Sequence, residues 1–165
     1  MRRGSHSIVR EGVIAGFLGA TAVAVWFFVV DMIGGRLLFT PNTLGEGLLS
    51  IFGRAPEPEI VNVVAYTIFH YAAFTVVGML AVVLVHAGER MPSVLGGSLI
   101  LFVAIELGFY GLTALLRETV LGNLAWYQIL VGNLLAAILM GTYLWRSHPA
   151  MRKGLVSALD GTAGL

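Results

Sequence analysis

The sequence predicts an all-α membrane protein: a four-helix antiparallel transmembrane bundle with a short amphipathic helix in its first outer loop. Hydrophobic residues make up 58% of the 165-residue chain and charged residues only 12%, about half the share of a typical soluble domain. Four apolar stretches exceed the roughly 18 residues that argue for a transmembrane helix. The length suits one transmembrane domain, 1–165. A net charge of +1 gives no indication of a nucleic-acid partner.

The four transmembrane helices are predicted at about 12–33, 60–86, 93–116 and 123–146, followed by a cytoplasmic tail at 147–165. The first helix follows basic residues, as a signal peptide does. Its apolar run is longer than the roughly 7–15 residues of a signal sequence, so we expect a retained helix. The short connections after the second and third helices favour antiparallel neighbours.

The connection at 34–59 is long and carries a helical pattern of its own. Thr40 can cap a short helix with Pro41 at its first position, and Gly53 can end it. A helix with one apolar face is expected to lie on the outer membrane surface. The apolar residues of this segment recur at helical spacing: Leu44, Leu48, Leu49 and Phe52.

The distribution of basic residues predicts the orientation. Four membrane crossings place both termini on one side, and that side carries seven of the ten basic residues, which favours cytoplasmic termini. The seven are Arg2, Arg3, Arg10, Arg90, Arg146, Arg152 and Lys153, and the other three are Arg36, Arg54 and Arg117.

Small residues form packing faces on two of the helices. Such stripes let helix backbones approach closely, because packing drives helix association in lipid. A stripe can dock another subunit or pack within the chain. We expect the internal contact for the last helix, whereas both interpretations stay open for the first helix. The stripes are Gly12, Gly16, Ala20 and Ala24 on the first helix and Gly132 and Ala136 on the last.

Three polar residues, His70, Glu106 and Asn133, interrupt three different apolar stretches. Each lies about ten residues, or roughly 15 Å, from the predicted outer end of its helix. Tyr66 and Tyr110 lie one helical turn from His70 and Glu106. Polar groups are costly in hydrocarbon and usually face one another, so the sequence predicts an intramembrane polar cluster.

Three hypotheses account for this cluster. It can be a structural lock that fixes how the helices dock, since polar side chains hold helices together in lipid. It can handle protons or ions, for which His and Glu are common relay groups. It can contact a cofactor, because histidine ligates haem iron, although the sequence offers no second histidine at that depth.

Other polar residues carry weaker signals. His6, His86 and His148 lie near the cytoplasmic boundary, where we expect independent surface histidines rather than a metal site. Asp31 is expected to form a solvated pair with Arg36. The chain has no cysteine and none of the common catalytic motifs, so neither an enzyme nor a resident cofactor is predicted.

Several segments resemble a family of four-span bacterial membrane proteins whose function is unknown. The resemblance implies the same fold and a bacterial inner membrane, and it brings no activity. It is carried by GRLLFTP at 35–41, YTIFHYAAF at 66–74, GNLLAA at 132–137 and MGTYLWR at 140–146.

These features predict a non-catalytic accessory or scaffold subunit of a larger membrane complex. Its expected partners are the lipid bilayer and other membrane subunits that dock through the first helix. The first alternative is a small transporter or proton-conducting protein that uses the polar cluster. The second is a cofactor-binding electron-transfer subunit.

Overall fold

The computed structural model describes residues 8–54, 57–90 and 126–149, and every regular element in these ranges is helical. Three helices are long and apolar enough to cross a membrane, which confirms the helical membrane character. The predicted helix at 93–116 and the tail from residue 150 lie outside the described residues. The helices in the described ranges are α1 (Ile8–Ile33), α2 (Phe39–Ile51), α3 (Glu59–Arg90) and α4 (Trp126–Ser147).

Helix α1 includes Arg10 and Glu11, which precede the apolar run where the sequence predicts its start. It ends at a Gly34-Gly35 pair. Gly35 has φ +68°, a left-handed conformation that glycine adopts at little cost. The turn is closed by the backbone N–H of Arg36, which donates to the carbonyl oxygen of Asp31 at 2.9 Å.

Helix α2 lies in the connection between α1 and α3, where the sequence predicts a short helix. Gly53, with φ +70°, follows the last turn, and its N–H donates to the carbonyl oxygen of Ser50. Gly45 lies so close to α3 that a Cβ atom there would be 2.8 Å from Cα of Asn62. Of the predicted apolar face, Leu44, Leu48 and Leu49 are half-buried, whereas Phe52 is exposed.

Helix α3 runs antiparallel to α1, at a distance set by glycines on both helices. A Cβ atom at Gly12 would be 2.6 Å from Cα of Met79, and one at Gly16 would be 2.7 Å from Cα of Thr75. From α3, a Cβ atom at Gly78 would be 2.6 Å from the Gly16 nitrogen. The two backbones can approach this closely only because no side chain separates them.

Helix α4 packs on another side of α1, also antiparallel to it. Val23 and Phe27 form a buried cluster with Ala136. Nearer the other end, Ala15 joins Val82, Val85, Met140 and Leu144 in a second cluster. Helix α1 therefore lies between α3 and α4, which run in the same direction and contact each other little.

These contacts show which helix covers each of the predicted small-residue faces. Gly12, Gly16 and Ala20 are buried, and α3 covers them. Ala24 is exposed. Gly132 and Ala136 face α1, which is the internal contact expected for the last helix. Most of the stripe on α1 therefore serves contacts within this chain.

The outward faces of the long helices are apolar and exposed within the described part of the chain. A soluble protein rarely leaves such continuous apolar surface in water. In a membrane these side chains meet lipid or another helix at no such cost. On α1 they include Val13, Phe17, Val25, Phe28 and Met32.

Candidate functional site

His70 lies in the contact between α3 and α1 and is only 7% exposed. Its Nε2 donates to the carbonyl oxygen of Ala20 at 3.1 Å, since a carbonyl oxygen can only accept. In that neutral tautomer Nδ1 accepts, and the Tyr66 hydroxyl lies 3.4 Å away to donate to it. Both ring nitrogens of His70 therefore contact protein groups.

The surroundings of His70 are mostly aromatic. The Phe74 ring centroid lies 4.8 Å from that of the imidazole, and the Tyr71 ring meets it edge-on at 5.8 Å. The Tyr71 hydroxyl in turn pairs with Oγ1 of Thr21 on α1 at 3.2 Å. These contacts hold α3 against α1 by two polar links near the middle of α1.

A cavity of about 320 Å³ opens beside these links, between α1, α2 and α3. Its wall is largely apolar. The polar side chains that line it are Thr67 on α3, the set around His70, and the Asp31–Thr40 pair at the far end of α1. The cavity therefore joins the two places where α1 makes buried polar contacts with α2 and α3.

The predicted partners of His70 are placed only in part. Glu106 and Tyr110 lie outside the described residues. Asn133 is half-buried on α4. Its neighbour Gly132 lies against the Trp26 ring, six residues further along α1 than Ala20, or about 9 Å along the helix axis. The cluster of His70, Glu106 and Asn133 therefore stays a prediction.

Asp31 holds the start of α2. Its carboxylate is 5% exposed and accepts two hydrogen bonds from Thr40, from the backbone N–H at 2.8 Å and from Oγ1 at 2.7 Å. The expected solvated pair with Arg36 is therefore wrong: the Arg36 guanidinium lies over the Phe39 ring, 3.8 Å from its centroid. A carboxylate at a helix N-terminus is favoured by the helix dipole.

Thr40 does not occupy the predicted capping position before α2. Helix α2 begins at Phe39, and the residue before it, Leu38, has φ +62° and makes no side-chain cap. A left-handed conformation costs a residue with a side chain about 1–2 kcal/mol. The two bonds from Thr40 to Asp31 fix the chain on either side of this turn and offset that cost.

A third polar group joins α1, α3 and α4 at the opposite end of α1. Nε2 of His148 lies 3.0 Å from Oε2 of Glu11, and the two side chains are only 4% and 7% exposed. The ring of His86 meets that of His148 edge-on, with centroids 4.9 Å apart. One donor atom from each of the three residues lies within 4.8 Å of the other two.

This arrangement overturns the expectation of independent surface histidines for His86 and His148, while His6 lies outside the described residues. The backbone N–H of His148 donates to the carbonyl oxygen of Leu144, so this histidine extends the last turn of α4 rather than a flexible tail. The signal in the sequence is Glu11, an acidic residue three positions after the start of an apolar helix. Two imidazoles and one carboxylate form a donor set that can hold a divalent metal ion.

Comparison with known proteins found no matching family model, no similar curated protein and no similar solved structure.

Proposed function

We propose that the protein is a non-catalytic scaffold, an accessory subunit of a larger membrane assembly. The observation that carries this proposal is the environment of His70, the ionisable residue in the middle of α3. Both of its ring nitrogens contact groups of the helix interface, the carbonyl oxygen of Ala20 and the hydroxyl of Tyr66. This geometry favours the structural-lock hypothesis over a proton relay, which needs a nitrogen that exchanges protons with a pathway.

The other buried polar contacts support the same role. Asp31 ties α1 to α2, and Asn62 ties α3 to α2 through its Nδ2, which donates to Oδ1 of Asn42 at 2.9 Å. Nε1 of Trp26 donates to the carbonyl oxygen of Gln128 at 2.8 Å, joining α1 to α4. Each of these bonds links two helices, as expected of a rigid support with apolar outer faces for lipid and partner helices.

The proposal includes a position in the membrane. We infer a four-helix antiparallel bundle, completed by the span at 93–116, in a bacterial inner membrane with both termini in the cytoplasm. The contact between Glu11 and His148 supports it, because the first turn of α1 and the end of α4 then share one side. The excess of basic residues on that side supports a cytoplasmic location.

Single-cysteine labelling tests this orientation, since the chain has no cysteine of its own. A Ser50→Cys variant carries its thiol on α2, where Ser50 is exposed, and a Ser147→Cys variant carries it at the end of α4. A membrane-impermeant maleimide is expected to label the Ser50→Cys variant in intact spheroplasts and the Ser147→Cys variant only after lysis. The reverse pattern would contradict cytoplasmic termini.

Co-purification tests the scaffold role. The protein is extracted from its native membranes in a mild detergent, and the proteins that elute with it are identified and quantified by mass spectrometry. We expect one or more membrane proteins in stoichiometric amounts. Recovery of this chain alone, as a monomer or homo-oligomer, would reject the accessory-subunit proposal.

The same preparation distinguishes the scaffold proposal from the alternative of a proton-conducting protein. Reconstituted liposomes are assayed for proton flux with the native chain and with a His70→Gln variant. A scaffold shows no flux in either case, and the variant unfolds at a lower temperature because the bonds to Ala20 and Tyr66 are altered. Flux that disappears in His70→Gln would establish transport instead.

A further inference from the structure

We propose that Glu11, His86 and His148 form a binding site for a divalent transition-metal ion, with Zn²⁺ as the ion that best fits the donor set. The three residues come from the first turn of α1, the last turns of α3 and the end of α4. The site is independent of the structural-lock argument, since none of the hydrogen bonds that carry that argument involves its donor atoms.

The distances suit a single ion. Zinc binds imidazole nitrogen and carboxylate oxygen at about 2.0–2.2 Å, so two ligand atoms on one ion are roughly 3–3.5 Å apart. Nε2 of His148 and Oε2 of Glu11 are 3.0 Å apart. The donor atom of His86 lies within 4.8 Å of both, so one ion held by all three residues would draw these atoms together by up to about 1–2 Å.

The hydrogen bond made by one ring nitrogen of His86 leaves the other nitrogen to bind a metal ion. Its Nδ1 donates to the carbonyl oxygen of Val82 at 2.9 Å, since that oxygen can only accept. Nε2 is then the nitrogen whose lone pair would bind the ion. Metal-binding histidines commonly donate their second nitrogen to a carbonyl or carboxylate in this way, which fixes the ring and raises its basicity.

The chemistry of the donor set selects the class of ion. Magnesium and calcium prefer sites built from oxygen ligands, whereas imidazole suits zinc and the other late first-row metals. Two histidines and one glutamate are a ligand set found at zinc sites that keep one position for water. An ion held in this way would join α1, α3 and α4 at one end, where the His86 and His148 rings already meet.

Metal binding is measured on the full-length protein without a histidine tag, purified in detergent and stripped with a chelator. Co²⁺ serves as the optical probe, and Zn²⁺ is titrated in competition with a chromophoric chelator. We expect one equivalent of either ion per chain. Zn²⁺ should also raise the apparent unfolding temperature, because it binds the folded state.

Three variants identify the ligands. Loss of an outer-shell partner typically costs roughly 10–100-fold in metal affinity, so loss of a ligand in His86→Ala should weaken Zn²⁺ binding at least ~100-fold. Glu11→Gln should weaken it as well, and this near-isosteric change keeps an acceptor for His148 if His86→Ala does not fold. Glu59→Gln is the matched control for Glu11→Gln, since Glu59 is an exposed carboxylate in the first turn of α3, far from the site, and its loss should leave the metal affinity unchanged.

Two outcomes would overturn the proposal. If the stripped native chain takes up no Co²⁺ or Zn²⁺, the group is a hydrogen-bonded Glu11–His148 pair with an adjacent histidine. If uptake persists at full affinity in the folded Glu11→Gln and His86→Ala variants, the ion binds elsewhere. Neither result depends on whether partner subunits are found, so the metal-binding experiment and the co-purification experiment test the two proposals separately.

Discussion

Replacing Gly16 by alanine is expected to destabilise the protein by about 2 kcal/mol, because overpacking a close contact typically costs 1–3 kcal/mol. The added Cβ atom would lie 2.7 Å from Cα of Thr75 and from the carbonyl carbon of Phe74. Both are backbone atoms of α3 and cannot rotate away, so the two helices must separate. The measurement is the unfolding temperature in detergent, supported by denaturant titration of helicity.

Gly141→Ala is the matched control. Gly141 also lies within a long helix, α4, but no described atom lies within 4 Å of the place where a Cβ would be. Alanine favours a helix over glycine by up to about 1 kcal/mol, so this change is expected to be neutral or slightly stabilising. Equal effects of the two substitutions would show that the α1–α3 contact is not as close as described.

Replacing Asp31 by alanine is expected to release the start of α2 and to cost about 3 kcal/mol. Hydrogen bonds to a charged group contribute about 1.5–3 kcal/mol, and an unsatisfied buried donor costs 1–3 kcal/mol. Asp31 accepts both the backbone N–H and the hydroxyl of Thr40, which is only 2% exposed. Hydrogen-exchange mass spectrometry should show faster exchange in the peptide that covers 39–51.

Two further variants control this prediction. Thr40→Val removes the hydroxyl and keeps the backbone N–H bond to Asp31, so about half of the effect is expected. Glu46→Ala removes an exposed carboxylate from α2 itself and should change stability by no more than about 0.5 kcal/mol. Unchanged exchange at 39–51 in Asp31→Ala would show that other contacts hold α2 in place.

The sequence predicts the elements that local patterns determine. Apolar length identifies α1, α3 and α4, and Gly53 predicts the end of α2. It does not predict the start of α2, because the carboxylate that accepts from Thr40 belongs to α1, nine residues earlier. Residue preferences at helix ends identify Thr40 as a possible cap. They do not identify Asp31 as its acceptor, because Asp31 comes close to Thr40 only through the turn at Gly34-Gly35.

The partners of the buried polar residues are even harder to predict from local sequence patterns. An interrupted apolar run marks His70 as functional or structural, but it does not say which helix His70 faces or that both nitrogens have partners in α1 and α3. The Glu11–His148 contact joins residues 137 positions apart. Since neither residue interrupts an apolar stretch, no periodicity in the sequence connects them.

The central position of α1 has a consequence for biogenesis. Helix α1 leaves the ribosome before α4, and the residues that cover its second face follow their partners on α1 by 102 positions at Gln128 and 137 positions at His148. At 5–20 residues per second, roughly 7–27 s pass between the synthesis of Glu11 and that of His148. During that interval lipid or the insertion machinery must cover the face of α1 that α4 later occupies. A chain truncated before α4 would keep this face permanently open, which gives membrane quality control a simple feature to recognise.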